Sequence, residues 1–329
     1  MGIIHPGPPP GLSNFLKAAL NFSIFVETGT FRGDTANWAC GIFDEVYSIE
    51  LSPELHRRAT LRLQQHGNLV LLQGDTGIHL ANLIGRLKQP ALFWLDAHWS
   101  LGETAGESDP CPLLRELDII LRSSLPHMLL IDDARLFCAP PALPHPASSW
   151  PSLPALTRYL EKLDRSEFFL FEDVLIVPPP SQAELVRNYL QLQDTLHSES
   201  PLRSPPTLPA EAQPILKAAE TALAIGNSLE ASQLAKQGLA DFDGVAQFAS
   251  LMGRSLLAAG DAQTALSQLR QACRLAPTEF TYHAELAQAL ALQGYQDEAR
   301  ASAQWAFAAD PNAAHAEGLA PLLANHSVR

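Results

Sequence analysis

The chain has 329 residues, of which 47% are apolar and 17% are charged, the composition of a globular protein with room for two domains. Its formal net charge is −13, and neither half contains a basic run. Nucleic-acid binding rests on Lys and Arg that neutralise phosphates, so this charge argues against a nucleic-acid partner and favours a small molecule or a protein.

Signals for membranes and for secretion are missing from the sequence as given. No apolar run reaches the ~18 residues of a membrane span, and residues 1–11 lack the cationic start and apolar block of a signal peptide. The cysteines form no CxxC pair and no zinc spacing. We therefore expect reduced thiols in a cytoplasmic protein without a membrane partner; the cysteines are Cys40, Cys111, Cys138 and Cys273.

Between residues 24 and 177, short β-rich segments alternate with helical patterns. Alternation of this kind predicts βαβ units, and hence an α/β fold with a parallel sheet covered on both faces. Only Glu172 separates the last two strands, so they should form an antiparallel pair at one end of the sheet. The predicted strands are Ile24–Thr28, Glu45–Glu50, 68–73, 91–96, 127–132, 167–171 and 173–177, and the helical stretches are 33–43, 53–65, 77–88 and 112–123.

The first strand ends in a glycine-containing loop that opens a helix. Ligands of open α/β sheets bind at the carboxyl ends of the strands, and glycines such as Gly29 and Gly33 let the backbone approach a ligand there. The spacing from Gly29 to Gly33 is GxxxG rather than GxGxxG, which argues against a nicotinamide or flavin.

Acidic residues follow the next two strands. Glu50 ends the second strand, where a carboxylate can accept both hydroxyls of a ribose. Asp75 follows the third strand, where it could accept an adenine amino group. The alternative is that each acid only caps the helix after it.

These strand ends resemble the S-adenosylmethionine site of class I methyltransferases, whose Rossmann-like sheet has five parallel strands and a terminal hairpin. The resemblance covers about residues 22–178. It implies that Glu27 and Gly29 lie near the methionine part, in a loop that includes Gly33. It further implies that Glu50 lies at the ribose and Asp75 at the adenine.

Three carboxylates follow the fourth and fifth strands: Asp96, Asp132 and Asp133. In the fold of the resemblance these strands are neighbours, ~5 Å apart, so the carboxylates would repel unless a cation or a proton lies among them. The arrangement looks like the cation-dependent O-methyltransferases, which implies that all three Asp residues bind Mg²⁺ or a similar divalent cation.

The base of such a reaction stays open between His98, Asp96 and a metal-activated substrate. The Lys that serves as base in the catechol type has no equivalent within residues 97–101. His98 is the preferred candidate because imidazole titrates near neutral pH, with Asp96 beside it as the second catalytic residue. Two long loops, 100–112 and 134–151, frame this patch, and Arg135 in the second loop is a candidate partner for Asp133 or for an anionic substrate group.

Residues 181–213 are rich in proline and read as a linker that contains one helix near 183–195. The segments Gly226–Ala231, Gly260–Ala265 and 294–299 then align at a spacing of 34 residues, and Pro277 and Pro311 keep the same interval. This pattern resembles the tetratricopeptide repeat over about residues 210–311. It implies an all-α domain at 214–329, with three repeats and a capping helix, that binds a protein partner or a second copy.

The leading hypothesis is therefore an S-adenosylmethionine-dependent O-methyltransferase domain at residues 1–180 that acts on a small hydroxylated molecule and depends on a divalent cation. One alternative is an oxidative enzyme, because the stretch from Asp96 to His98 also resembles the cephalosporin-hydroxylase type. The other is a non-catalytic adaptor in which only the repeats act.

Overall fold

The structure is a computed structural model that describes residues 7–99, 104–139, 141–143, 145–197 and 208–323. It divides into two compact units, Met1–Ala183 and Glu184–Arg329. Residues 100–103 of the first framing loop and 198–207 of the predicted linker lie outside the described residues. None of the described helices combines the length and the apolar character that crossing a membrane requires.

The described part of the first unit contains one sheet of seven strands in the order β3-β2-β1-β4-β5-β7-β6. Strands β1 to β5 are parallel, and β7 is antiparallel to both β5 and β6, as the sequence predicts. The strand order runs outward from β1 in both directions, to β2 and β3 on one side and to β4 and β5 on the other, so the ends of β1 and β4 mark the topological switch point of the sheet. The strands are β1 Ile24–Thr28, β2 Glu45–Glu50, β3 Leu69–Gln73, β4 Ala91–Leu95, β5 Met128–Ile131, β6 Phe169–Phe171 and β7 Val174–Val177.

The first unit also contains helices. Of these, α1 and α7 were not predicted from the sequence. Each has a Pro within its first turn, where a missing N–H costs no hydrogen bond, and follows a Pro-rich segment that conceals its start. The helices are α1 Pro10–Leu20, α2 Asp34–Cys40, α3 Pro53–Arg62, α4 Thr76–Ile84, α5 Leu113–Leu121, α6 Arg135–Cys138, α7 Leu153–Lys162 and α8 Ala183–His197, the last of which spans the division between the units.

The centre of the sheet forms the core. Every residue of β1, β4, β5 and β7 is buried, as expected for strands covered on both faces. In register, Thr28 lies opposite Leu95, and Leu95 lies opposite Ile131, so β1, β4 and β5 end at one level. The residues that follow these strands are therefore held by a rigid scaffold along one edge.

Within residues 208–323 of the second unit, helices pack in successive antiparallel pairs. Three of the turns between paired helices contain a glycine with φ of 83° to 85°: Gly226, Gly260 and Gly294. A residue with a side chain would be strained in this backbone conformation. The helices are α9 Gln213–Ala224, α10 Ser228–Asp241, α11 Ala246–Ala258, α12 Ala262–Leu275, α13 Phe280–Leu292, α14 Gln296–Ala309, α15 Pro311–Ala316 and α16 Ala320–Leu323.

Small residues allow the paired helices to approach closely. A Cβ at Gly238 would lie 2.3 Å from the Phe248 ring, and a Cβ at Gly253 would lie 2.7 Å from Leu269. Ala265 and Ala299, the alanines of the 34-residue pattern, are fully buried. The 34-residue period of the sequence therefore corresponds to close contacts that recur between successive paired helices.

Candidate functional site

A cavity of about 310 Å³ opens at the carboxyl ends of the parallel strands. Its walls come from the segments that follow β1, β2, β3 and β4, and from the loop before α5. Five of the residues singled out in the sequence line it together: Gly29, Glu50, Asp75, Asp96 and His98. Residues up to 69 positions apart in sequence, Gly29 and His98, thus share one site.

Gly29 is required by the backbone at this edge. Its φ is 87°, and a Cβ there would lie 2.3 Å from the Asp96 carbonyl oxygen. Gly33 also has a positive φ, of 80°, but a Cβ there would meet Leu63, and Gly33 does not line the cavity. Gly29 therefore keeps the first loop close to β4, and Gly33 allows the packing of α2 against α3.

Glu27, expected near the methionine part of a cofactor, lies beneath the cavity rather than in its wall. It is 1% exposed and accepts a hydrogen bond from Ser48, its neighbour in register on β2. Ser48 also lies 2.5 Å from the Thr30 hydroxyl. Burial raises the pKa of Glu27 to about 8, and the hydrogen bond from Ser48 offsets only part of that effect. Glu27 thus supports the Gly29 loop from below.

Glu50 lines the cavity with its carboxylate fixed in place. The Phe31 N–H donates to Oε2 and the Ser52 N–H donates to Oε1, each at 2.8 Å. Burial raises the pKa of Glu50 despite these bonds. Each oxygen keeps a second lone pair, so the carboxylate can still accept two hydroxyls of a ligand.

Asp75 has two structural partners. It caps α4 by accepting the Ile78 N–H at 3.1 Å, and Arg115 donates to its two oxygens at 3.0 and 2.9 Å. Burial opposes ionisation of Asp75, but the Arg115 guanidinium outweighs it and holds the pKa below its usual range. Arg115 also lies 3.3 Å from Asp109, so it ties the loop before α5 to the cavity.

His98 lies between two carboxylates. Its Nδ1 is 3.2 Å from Asp96 Oδ1, and its Nε2 is 2.9 Å from Asp133 Oδ2. Burial alone would lower the pKa of His98, but Asp133 and Asp96 outweigh burial and raise it. Burial raises the pKa of Asp96, which shares the cavity wall with His98. An imidazole with a carboxylate at each nitrogen favours its protonated form.

The three Asp residues expected to bind a cation are each engaged by other groups of the protein. Arg135 donates to Asp133 at 2.5 Å and also pairs with Asp173, while Asp132 Oδ1 accepts the Asp133 N–H at 2.7 Å. Among the residues that the structure describes, no group of three His, Cys, Asp or Glu side chains could hold a metal ion. His98 pairs with Asp96 and Asp133, and Arg135 pairs with Asp133, so two of the three Asp residues already have a cationic partner and the residues as placed do not form a cation site.

Two residues of α5 were missed by the sequence analysis. Arg115 pairs with Asp75, as described above. Glu116 is 1% exposed on the buried face of α5, beside Leu113, Leu117 and Ile120. A Glu on an otherwise apolar helical face is a signal that the sequence pattern could have given. Burial raises the pKa of Glu116 to about 7. Hydrogen bonds from Thr76 and Thr28 lower this pKa, but their effect is smaller than that of burial.

An aromatic cluster covers His98 on the side of the second framing loop. The ring centroids of His98 and Trp150 are 5.5 Å apart, and His145 lies 6.3 Å from Trp150. Trp99 meets His145 edge to face at 5.0 Å. The cluster packs against His98 but, apart from His98 itself, does not line the cavity.

No family model and no curated protein matches this chain. Solved structures similar to it include the SAH-bound methyltransferase PaMTH1 from Podospora anserina, with 16% identity, 53% of this chain and 89% of that chain covered, and a TM-score of 0.36. Another is the methyltransferase domain of bacterial CtHen1-C, with 13% identity, 50% and 94% covered, and a TM-score of 0.34.

The N-methyltransferase NodS from Bradyrhizobium japonicum is similar at 14% identity, with 51% and 92% covered and a TM-score of 0.31. All three structures match about half of this chain, and these scores are too low to assign its activity. The function is therefore argued from the site itself.

Proposed function

We propose that this protein is an S-adenosylmethionine-dependent methyltransferase that transfers a methyl group to a hydroxyl oxygen of a small molecule. One observation carries the proposal. The cavity at the switch point of the sheet joins a close backbone approach at Gly29 with the carboxylates of Glu50, Asp75 and Asp96 and the imidazole of His98. That combination suits a ligand with a ribose, an amino-bearing base and a reacting group.

The residues in the cavity wall fit such a ligand. Glu50 is fixed by two backbone N–H groups and can accept ribose hydroxyls, and Asp75 at the next strand end can accept an amino group. When bound, S-adenosylmethionine supplies an electrophilic methyl group. Arg115 holds Asp75 ionised, which keeps it an acceptor.

For the proton of the acceptor hydroxyl, we propose the Asp96–His98 pair as the base. Both side chains line the cavity, whereas Asp133 does not. Both imidazole nitrogens lie at carboxylates, so His98 orients Asp96 and compensates its charge, and an Asp96 oxygen accepts the proton. The sequence favours His98 as the base and Asp96 as the second catalytic residue, and here the two roles are exchanged.

Dependence on Mg²⁺ or a similar divalent cation, which the resemblance implies, gains no support from this geometry. Asp133 is engaged by Arg135 and His98, and Asp96 by His98. We derive no step through a cation, and a chelator tests the point directly.

We infer that the second unit is a tetratricopeptide-type array that docks a protein partner or a second copy. Its support is the coincidence of the 34-residue period with paired helices and with glycine turns of the same φ. If a folded chain without residues 210–329 showed unchanged self-association and unchanged partner binding, this role would be contradicted.

The deciding experiment is calorimetric titration of the full chain with S-adenosylmethionine and with its demethylated product. We expect ~1:1 binding, followed by methyl transfer in a panel of hydroxylated acceptors, with and without chelator. Absence of binding would exclude the proposal. Binding without any methyl transfer, together with oxidation of an acceptor, would favour the oxidative alternative.

A further inference from the structure

A second, much smaller cavity lies behind His98. Its volume is about 20 Å³, and it shares Ala97, His98 and Pro112 with the large cavity, so the two are adjacent. The carboxyl ends of β4 and β5 and the start of α5 form most of its wall, which is largely apolar. A space of this size holds one water molecule and no larger ligand.

Two buried polar atoms in this wall have no hydrogen-bond partner among the described residues. They are Glu116 Oε1 and Trp150 Nε1, on side chains of residues that are 1% and 7% exposed. Glu116 Oε1 is a carboxyl oxygen, which can accept a hydrogen bond, and Trp150 Nε1 is an indole nitrogen, which can only donate one. A buried polar atom without a hydrogen-bond partner destabilises the folded state, so two of them around one cavity require an explanation.

We propose that this cavity is a built site for one ordered water molecule, which accepts a hydrogen bond from the Trp150 indole and donates one to the Glu116 carboxyl group. Asp132 also lines the cavity and offers the water a further acceptor. A buried water typically makes two to four hydrogen bonds, and this wall provides that number.

The water gives Glu116 and Trp150 a role as positioning residues. The Trp150 ring lies 5.5 Å from the His98 ring, so a fixed indole limits the motion of the imidazole. On the other side, Glu116 accepts from the Thr28 hydroxyl at 3.5 Å, and Thr28 Oγ1 accepts the Asp96 N–H at 3.3 Å. The water therefore joins two supports of the Asp96–His98 pair. This consequence for catalysis rests on the proposed function, whereas the water site itself does not.

The first test needs no activity. A high-resolution crystal structure of the full chain should show density for one water within hydrogen-bond distance of both Trp150 Nε1 and Glu116. In ¹H–¹⁵N spectra, Glu116→Leu should shift the Trp150 indole resonance and speed its exchange with solvent, whereas Glu116→Gln, which still accepts and donates, should preserve both. A dry cavity with Glu116 turned onto another side chain would overturn the proposal.

The second test measures methyl transfer. Trp150→Phe and Glu116→Leu should each lower kcat by about tenfold with S-adenosylmethionine affinity unchanged, and Glu116→Gln should stay within about twofold of the unmutated chain. Trp38→Phe is the matched control, since Trp38 packs edge-on against Phe25, 5.9 Å away, and does not line the cavity. Folded Trp150→Phe and Glu116→Leu variants with the kcat of the unmutated chain would remove the positioning role. If the chain does not bind S-adenosylmethionine at all, the proposed function fails while the water test still stands.

Discussion

The Arg135 guanidinium lies 2.5 Å from Asp133 Oδ1, and the same nitrogen also reaches Asp173 on the segment before β7. Asp133 has a φ of 54°, an unusual conformation for a residue with a side chain, and its other oxygen is 2.9 Å from His98. Arg135 and His98 thus pair with three of the four carboxylates near the ends of β4 and β5, while burial raises the pKa of the fourth, Asp132, to about 7. This pairing bears on whether the site requires a metal ion from solution.

Chelation should leave methyl transfer unchanged, because His98 and Arg135 already pair with Asp96 and Asp133 at this edge. Arg135→Ala should lower the free energy of unfolding by about 1–2 kcal/mol, since it leaves Asp173 without its cation. Activity and urea unfolding, each with and without Mg²⁺, check both statements. Loss of activity with chelator in the unmutated chain would restore the cation-dependent hypothesis.

Glu50→Ala should weaken S-adenosylmethionine binding by roughly 1.5–3 kcal/mol, the range for hydrogen bonds to a charged group. Calorimetry measures this, with Glu54→Ala as the control, because Glu54 is an exposed neighbour on α3 that pairs only with Arg57 and Arg58 among the described residues. Equal affinity of the two variants would mean that Glu50 only orders the loops around Phe31 and Ser52.

Gly29→Ala should destabilise the first unit by about 2–4 kcal/mol and abolish cofactor binding. The substitution combines a positive φ with a Cβ that would lie 2.3 Å from the Asp96 carbonyl oxygen. Gly67→Ala is the matched control, because a Cβ there meets no atom within 4 Å. Thermal unfolding of both variants tests the contrast, and a Gly29→Ala protein as stable as Gly67→Ala would contradict the close approach.

Glu27 should make stability depend on pH. The pKa of Glu27 is about 8 in the folded chain and near 4.5 in the unfolded chain. The contribution of protonated Glu27 to the stability of the folded chain is therefore fully present below pH 4.5 and is lost as the pH rises towards 8. Across that window, Glu27→Gln should become more stable relative to the unmutated chain by roughly 3–5 kcal/mol. Urea unfolding at several pH values measures the difference. Glu161→Gln, at an exposed position on α7, is the control substitution.

Deletion of residues 210–329 should leave a folded α/β unit and alter self-association or partner binding. The first unit has its own core around β1, β4 and β5, and stacked helical pairs contact mainly their neighbours. Circular dichroism and light scattering of the truncated chain test this. Aggregation of the truncated protein would indicate that the repeats cover part of its core.

Almost all of the architecture of the first unit could be predicted from the sequence. Strands buried on both faces require continuous apolar runs, and the helices between them require a different period, so alternation predicts the parallel sheet and its terminal hairpin. The 34-residue period in the second half likewise corresponds to paired helices, because a small residue at each close approach repeats with the pairs. Helices α1 and α7 escaped prediction, since prolines obscure the sequence around their starts.

The sequence also selected the edge of the sheet where the cavity lies, because residues after parallel strands collect there. Only the tertiary structure decided which partner each charged group takes. Glu27 faces Ser48 because of the register of β1 and β2, Asp75 meets Arg115 from forty residues away, and His98 fills the space between Asp96 and Asp133. Such pairings depend on side-chain distances of about 3 Å across neighbouring elements, whereas a sequence pattern specifies only which elements lie side by side.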